Sequence, residues 1–210
     1  MRASISRQDL HSCISSPRLR TIVAVERIIE SIRSPDQVWS RDDVRDQSCP
    51  VPKEPGIYGW YFRNIPPSVP VRGCERFGRL TLLYVGISPR GPESSGTLRA
   101  RIKTHYRSRG ASTLRRDLGV LLEDSLHLQL RSLARNRFDY GQTEESLSEW
   151  MSSNAYVVWA EHLKPWVVEP DIIATLNLPL NIDHNVQHPF SAQLKALRAD
   201  ASKRARSLAI

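Results

Sequence analysis

The chain has 210 residues, 40% of them hydrophobic, which is enough for one domain with a real core or one domain with additional arms. It has 30 Lys and Arg against 22 Asp and Glu, a formal net charge of +8, and this surplus favours a polyanionic partner, nucleic acid before a membrane. No apolar run reaches the roughly 18 residues of a membrane span and the N-terminus has no secretory pattern, so we expect a cytoplasmic protein.

The first 53 residues are expected to form an arm and one helix. Apolar residues recur at spacings of three and four between Arg18 and Arg33, which predicts a packing helix. Residues 34–54 contain three prolines and many charges and are expected to be a connector. The three cysteines, Cys13, Cys49 and Cys74, are scattered and odd in number, so their spacing indicates neither a disulfide framework nor a zinc site.

Two short runs, GIYGWYF (56–62) and LTLLYVGI (80–87), have the aromatic and β-branched composition of strands. Each contains a tyrosine and a glycine, and glycine inside a strand often marks the close approach of another group. Side by side, these strands would bring the hydroxyls of Tyr58 and Tyr84 over one concave spot. The proline-containing connection between them, residues 63–79, is long for a hairpin, and we consider it a possible DNA-contacting flap.

A helix capped by Thr97 is predicted to run to about Ser108. Arg101 and His105 lie four residues apart on one strip of it, beside the apolar stripe. Residues 90–116 hold eight basic residues against one acid, which concentrates positive charge next to the tyrosine strands. Besides Arg101, the candidate nucleic-acid-binding residues are Arg90, Arg99, Lys103, Arg107, Arg109, Arg115 and Arg116.

The rest of the chain is expected to supply helices and one further strand. Ser112 should open a helix that residues 126–133 continue after a break, followed by a loop over 136–143 and a short helix over 144–151. AYVVWA (155–160) is apolar on both faces and predicts a third, central strand. A last helix from Ser191 to about Ser207 has a basic tail.

An acidic residue and an amide complete the set of candidates. Glu169 lies beside a helical apolar pattern and Asn181 follows twelve positions later. Pro170 suggests that this helix begins at Glu169, because proline is tolerated in a first turn but not in a helix interior. Glu161, at the end of the third strand, is the alternative to Glu169 as the acidic residue of the site.

Over roughly residues 54–182, the chain resembles the pattern of the GIY-YIG nucleases. The resemblance depends on Gly56-Ile57-Tyr58, Tyr84-Val85-Gly86, Arg101, His105, Glu169 and Asn181. The resemblance implies an α/β (α+β) fold with a small three-stranded antiparallel sheet flanked by helices. It divides the chain into an N-terminal arm and helix (1–53), a nuclease-like core (54–184) and a basic C-terminal helix packed on the core (185–210).

The resemblance also implies an endonuclease that hydrolyses DNA phosphodiesters with one Mg²⁺ or Mn²⁺ ion. Glu169 would be the metal ligand and Arg101 would neutralise the phosphate. Tyr58 is the candidate general base, assisted by His105, although these two roles can be exchanged. Tyr84 would position phosphate or water, and Asn181 would anchor the site by hydrogen bonds.

Two other functions remain open from the sequence: an inactive DNA-binding module of the same fold, and a basic adaptor that binds a protein. Within the nuclease hypothesis, a stand-alone or restriction-type enzyme is favoured over repair and mobile-element roles. An enzyme that cuts a palindrome would be a homodimer, because two-fold DNA symmetry requires two active sites.

Overall fold

The fold is a mixed α+β arrangement built on an antiparallel sheet. The computed structural model describes residues 17–107, 112–133 and 137–208. The principal strands are β1 (Gly56–Phe62), β2 (Arg76–Phe77), β3 (Leu80–Ser88) and β6 (Ala155–Glu161), in the order β2-β3-β1-β6. Every neighbouring pair is antiparallel. The predicted fold class is therefore confirmed.

Two details of the predicted sheet are wrong. It has four strands and not three, because Arg76 and Phe77 of the long connection pair with Thr81 and Leu80 of β3. The strand at 155–161 is not central but lies at one end of the order, next to β1. An isolated bridge from Trp39 to Val157 covers part of its outer edge, which limits the unpaired backbone groups there.

Both faces of the sheet are covered, and the alternation of side chains along β1 explains how. Tyr58, Trp60 and Phe62 belong to one core cluster, whereas Ile57 and Tyr61 belong to the other. The first cluster is covered by α3 (Leu98–His105), α4 (Thr113–Leu121), α5 (Glu144–Asn154) and α7 (Pro189–Ser207). The second is covered by α1 (Pro17–Arg33) and α6 (Pro165–Thr175). The sheet is thus buried between two helical layers.

The prediction for the middle of the chain is partly wrong. A short helix, α2 (Arg41–Arg45), interrupts the expected connector and carries a capping box between Ser40 and Asp43. Residues 126–133 do not continue α4. They lead into β4 (Arg131–Leu133), which pairs with β5 (Arg137–Asp139), a strand inside the expected loop.

The long connection 63–79 is fastened to the rest of the molecule. Arg33 forms an ion pair with Glu75 at 2.9 Å, and the Asn177 side chain donates to the carbonyl of Arg72 at 2.7 Å. Val69 is buried in the core. Because the connection also supplies β2, it extends the sheet as well as linking two strands.

None of the helices that the described residues form combines the length and apolar character needed to cross a bilayer. Cys49 and Cys74 are free thiols, and Cys13 lies outside the described residues. Burial raises the pKa of the Cys74 thiol to about 11.

Candidate active site

Tyr58 and Gly86 are direct partners across β1 and β3. The Tyr58 ring lies over Gly86 so closely that a Cβ atom at position 86 would come within 2.5 Å of the phenol oxygen. Gly56 is equally constrained, since its Cβ would lie 2.3 Å from the carbonyl oxygen of Ala160. The two glycines therefore let side chain and backbone approach where any larger residue would clash.

Tyr58 is hydrogen-bonded to His105, which lies on α3. The Tyr58 hydroxyl and His105 Nε2 are 2.9 Å apart, and His105 Nδ1 lies 2.8 Å from Ser112 Oγ. Ser112 is the N-cap of α4, and its hydroxyl also accepts the backbone N–H of Arg115 at 3.1 Å. A helix cap thus fixes the orientation of the imidazole that holds the tyrosine.

His105 lies among aromatic rings. The ring centroids of Tyr58, Trp60 and Tyr84 are 5.3, 5.6 and 6.4 Å from that of His105. The imidazole is fully buried, and burial, followed by the charges of Arg101, Arg115 and Arg90, lowers the pKa of His105 well below its usual range. His105 is therefore a neutral imidazole at physiological pH, bonded at both nitrogens.

Arg101 reaches the same phenol from one turn earlier in α3. Its Nε atom donates to the Tyr58 hydroxyl at 3.3 Å. The Arg101 cation favours the phenolate, but burial outweighs it, and the pKa of Tyr58 is raised above its ordinary value. Burial also raises the pKa of Tyr84 well above its ordinary value. The charge of Arg101 thus acts to lower the pKa of Tyr58, but the net shift is upward.

Glu169 lies in α6, and the predicted start of this helix is wrong. The helix begins at Pro165, so Pro170 lies inside it. Because Pro170 comes just after the first turn, its missing N–H removes only one early intrahelical bond. Burial raises the pKa of the Glu169 carboxyl, while His184 and Arg90 act in the opposite direction. Within the described part of the chain, no hydrogen bond or ion pair engages this carboxylate.

Asn181 is buried and bound to β3 by both ends of its amide. Its Oδ1 accepts from the Val85 N–H at 2.9 Å and its Nδ2 donates to the Val85 carbonyl at 2.8 Å. The Leu180 N–H donates to the Leu83 carbonyl at 3.0 Å. This segment therefore forms hydrogen bonds with backbone groups on the outer edge of β3 that do not pair with β2. It also holds in place the strand that carries Tyr84 and Gly86.

These elements enclose a cavity of about 200 Å³. The cavity is lined by the candidates Tyr58, Tyr84, Arg101, Glu169 and Asn181. His105 is not in the lining but is hydrogen-bonded to Tyr58. Arg90 also contributes to the wall. Glu161, the rival carboxylate, is exposed at the end of β6, paired with Gly56, and is not part of this lining.

Four of the polar lining residues were not candidates for the site from the sequence: Thr113, Asp183, His184 and Arg198. Asp183 and His184 lie two and three positions after Asn181, and this proximity to a candidate residue was the available signal. Arg198 comes from α7, where it looked like any residue of a basic helix. It forms an ion pair of 3.2 Å with Asp117, a carboxylate with no solvent exposure.

The predicted basic residues have different surroundings. Arg90 and Arg107 are exposed, and Lys103 and Arg116 are half-buried. The Arg99 guanidinium instead donates to the carbonyls of Val51 and Cys49, at 2.6 and 3.2 Å. Arg115 is 4% exposed and bonded to Glu144 and Ser148. Arg99 and Arg115 thus hold the fold together, and Arg109 lies outside the described residues.

The cavity suits a hard divalent cation. In the described ranges, no three His, Cys, Asp or Glu side chains gather closely enough to hold a metal ion by themselves. The carboxylate of Glu169 nevertheless has no hydrogen bond or ion pair to another described residue, and it lines the cavity together with Asp183. Mg²⁺ keeps several waters and is commonly bound by one or two carboxylates together with substrate phosphate, so this donor set fits it.

Comparison with protein families decides the relationship. The family model for the GIY-YIG catalytic domain matches residues 56–200, which is more than half of the chain. The chain belongs to the GIY-YIG family. The match begins at the first residue of β1 and ends within α7. No curated protein and no solved structure matched the chain.

Membership of the GIY-YIG family supports nuclease activity, and thus hydrolase chemistry, in general terms. A nuclease domain implies DNA as the substrate, and GIY-YIG nucleases generally use divalent metals. The GIY-YIG signature lies on the paired strands β1 and β3, and three of its residues, Tyr58, Tyr84 and Gly86, line this cavity.

Proposed function

We propose that this protein is a divalent-metal-dependent DNA endonuclease whose active site is the cavity lined by Tyr58, Arg101 and Glu169. The observation that carries the proposal is the position of the Tyr58 hydroxyl, which bonds His105 and Arg101 beside a cavity that the Glu169 carboxylate also lines. A nucleophile activator, an anion-binding group and a cation ligand are the parts that phosphodiester hydrolysis requires.

Arg101 and Arg90 would bind the scissile phosphate. A phosphodiester is an anion that repels an attacking water, so its charge must be neutralised before and during attack. The guanidinium group offers a planar fork of donors that matches phosphate oxygens. Arg101 already directs one of these donors to Tyr58, which links the phosphate-binding group to the candidate base.

Tyr58 would accept the proton of the attacking water. In the free site, burial keeps it a neutral phenol, and its neighbour His105 is a neutral imidazole. When His105 carries its proton on Nδ1 and donates to Ser112, its Nε2 accepts the Tyr58 hydroxyl proton. Tyr58 lines the cavity, so its oxygen would accept a proton from water there while its own proton passes to the imidazole.

Glu169 would hold the metal ion, and Asp183, which lines the same cavity, would add a second oxygen ligand. When bound, a divalent cation supplies Lewis-acid stabilisation of charge on the phosphate and on the leaving oxygen. Tyr84 would contact phosphate or water from the cavity wall. Asn181 would act indirectly, by fixing the strand that carries Tyr84.

A plasmid-nicking assay with and without EDTA tests the proposal. We expect supercoiled DNA to be converted to nicked or linear forms in Mg²⁺ or Mn²⁺, and no conversion in EDTA. Absence of cleavage with either metal, or full cleavage in EDTA, would contradict it. Purified Glu169→Gln protein is the control for a contaminating nuclease.

A further inference from the structure

A second cleft adjoins the cavity of the candidate active site. It has a volume of about 530 Å³ and lies between α4, the β4–β5 hairpin and α7. The two hollows share three wall residues, Arg90, Thr113 and Arg198. A nucleic-acid strand that occupies the active-site cavity can therefore continue into this cleft without leaving the protein surface.

Arginine dominates the walls of this cleft. Its charged lining residues are Arg90, Arg115, Arg116, Arg137, Arg198, Asp139 and Glu144. Both acids are already engaged, since Glu144 pairs with Arg115 at 2.6 Å and Asp139 pairs with Arg131 at 2.9 Å. Arg198 pairs with Asp117, which is not in the lining, and the other three arginines, Arg90, Arg116 and Arg137, give the cleft a net positive charge that suits an anionic ligand.

Two of these guanidiniums are held in place beforehand. Arg116 donates to Ser202 at 2.5 Å and lies over the Phe138 ring, 4.8 Å from its centroid. Arg198 is held by the buried carboxylate of Asp117. Burial, followed by the charge of Arg198, lowers the pKa of Arg116, so the two cations repel each other. A bound anion would relieve that repulsion, and preorganised side chains lose little entropy on binding.

We propose that this cleft binds the sugar-phosphate backbone of the substrate strand immediately beside the scissile phosphate, through Arg116, Arg137 and Arg198. The inference rests on the proposed nuclease function, which places the scissile phosphate in the adjoining cavity. Phosphates follow one another along the strand, so the neighbours of the scissile phosphate must occupy the next available space. Guanidinium groups contact phosphate oxygens in a planar, two-point geometry, without reading the base sequence.

The test uses Arg137→Gln, because Arg137 is exposed on the short strand β5 and outside the active-site lining. We expect weaker binding of a fluorescent DNA duplex in Ca²⁺ and a salt dependence whose slope falls by about 0.9, the value for one lost phosphate contact. Arg137→Lys should restore most of the slope. Arg79→Gln is the matched control, since Arg79 is exposed and lines neither hollow.

A substrate modification locates the contact. A neutral methylphosphonate at one phosphate next to the cleavage position should weaken binding of the wild type, and should add little to the loss already caused by Arg137→Gln or Arg116→Gln. The assignment would be overturned if a methylphosphonate weakened binding equally at every phosphate tested. It would also be overturned if each of these losses added in full to the loss caused by the arginine variants. Wild-type affinity and salt slope for Arg137→Gln, or preferential binding of polyglutamate over DNA at this cleft, would overturn it as well.

DNA binding is measured in Ca²⁺ and does not depend on cleavage. The experiments can therefore contradict the nuclease function and the backbone-binding cleft independently of each other. A wild type that never nicks DNA, but loses a phosphate contact through Arg137→Gln, would contradict the nuclease function and support the backbone-binding cleft. Normal cleavage together with an unchanged salt slope would support the nuclease function and overturn the cleft.

Discussion

Tyr58 and Gly86 face each other across two antiparallel strands, and the phenol occupies the space where a side chain at position 86 would begin. The second glycine of the GIY-YIG signature is therefore explained by the tyrosine of the first triplet. The phenol can lie against β3 and still bond His105 because nothing projects from the strand beneath it.

We predict that Gly86→Ala impairs catalysis more than folding. The new Cβ would lie 2.5 Å from the Tyr58 oxygen, so the phenol must move away from its partners. A displacement of about 1 Å commonly costs on the order of a hundredfold in rate. DNA cleavage and thermal unfolding measure the two effects. Gly91→Ala is the control, because a Cβ there meets nothing within 4 Å. Wild-type cleavage by Gly86→Ala would argue against the position of Tyr58.

Tyr58→Phe should reduce cleavage by roughly a hundredfold or more, the scale of a lost general base. It keeps the ring, so binding of DNA in Ca²⁺ should stay near that of the wild type. Tyr106→Phe is the matched control: Tyr106 is also buried and donates to the Ala155 carbonyl at 2.8 Å, away from the cavity. Both variants should lose about 1 kcal/mol of stability. Equal cleavage by the two variants would remove Tyr58 from the mechanism.

Asn181→Ala should destabilise the protein by about 1–3 kcal/mol, because it leaves the buried N–H and carbonyl of Val85 without their partner. The loss should appear as a lower urea midpoint with little change in slope. Asn64→Ala, at an exposed asparagine, should leave the midpoint unchanged. If Asn181→Ala had the same midpoint as the wild type, another group or a water molecule would have to form the hydrogen bonds with the Val85 backbone.

Asp117 should make stability fall as pH rises from about 4 to about 7. Burial raises its pKa to about 7 in the folded protein, from 3.8 in an unperturbed aspartate, so the folded state binds this proton more tightly. Its contribution is complete below the unfolded pKa and is lost as pH rises through the folded pKa, in total on the order of 4 kcal/mol.

Unfolding free energies across this pH range measure the effect. Asp117→Asn should flatten that part of the curve, whereas Asp124→Asn, at an exposed aspartate, should not. A wild-type curve that rises between pH 4 and 7 and is unchanged by Asp117→Asn would contradict the assignment.

Local patterns in the sequence predicted the parts of the site that lie within single elements. The spacing of Arg101 and His105 placed both on one strip of a single helix, and both contact the Tyr58 hydroxyl. The two tyrosine strands pair as expected. These positions follow from the periods of helices and strands, which sequence reveals directly.

Other features were missed because they depend on contacts between distant segments. The strand at Arg76–Phe77 is only two residues long and forms on the edge of β3. Arg198 enters the cavity from α7 because α7 packs on α4. In residues 126–133 the strand covers only Arg131–Leu133, and it forms by pairing with β5, a contact that the helical interpretation of the leucines overlooked.

The central claim, a metal-dependent nuclease site at Glu169, is tested most directly by comparing Glu169→Gln with Glu161→Gln. Cleavage is measured in Mg²⁺ and DNA binding in Ca²⁺. We predict that Glu169→Gln abolishes cleavage and keeps or tightens binding, because it removes the cation ligand and a charge that repels phosphate. Glu161→Gln, outside the cavity lining, should cleave like the wild type. Full activity of Glu169→Gln, with or without loss in Glu161→Gln, would contradict this account.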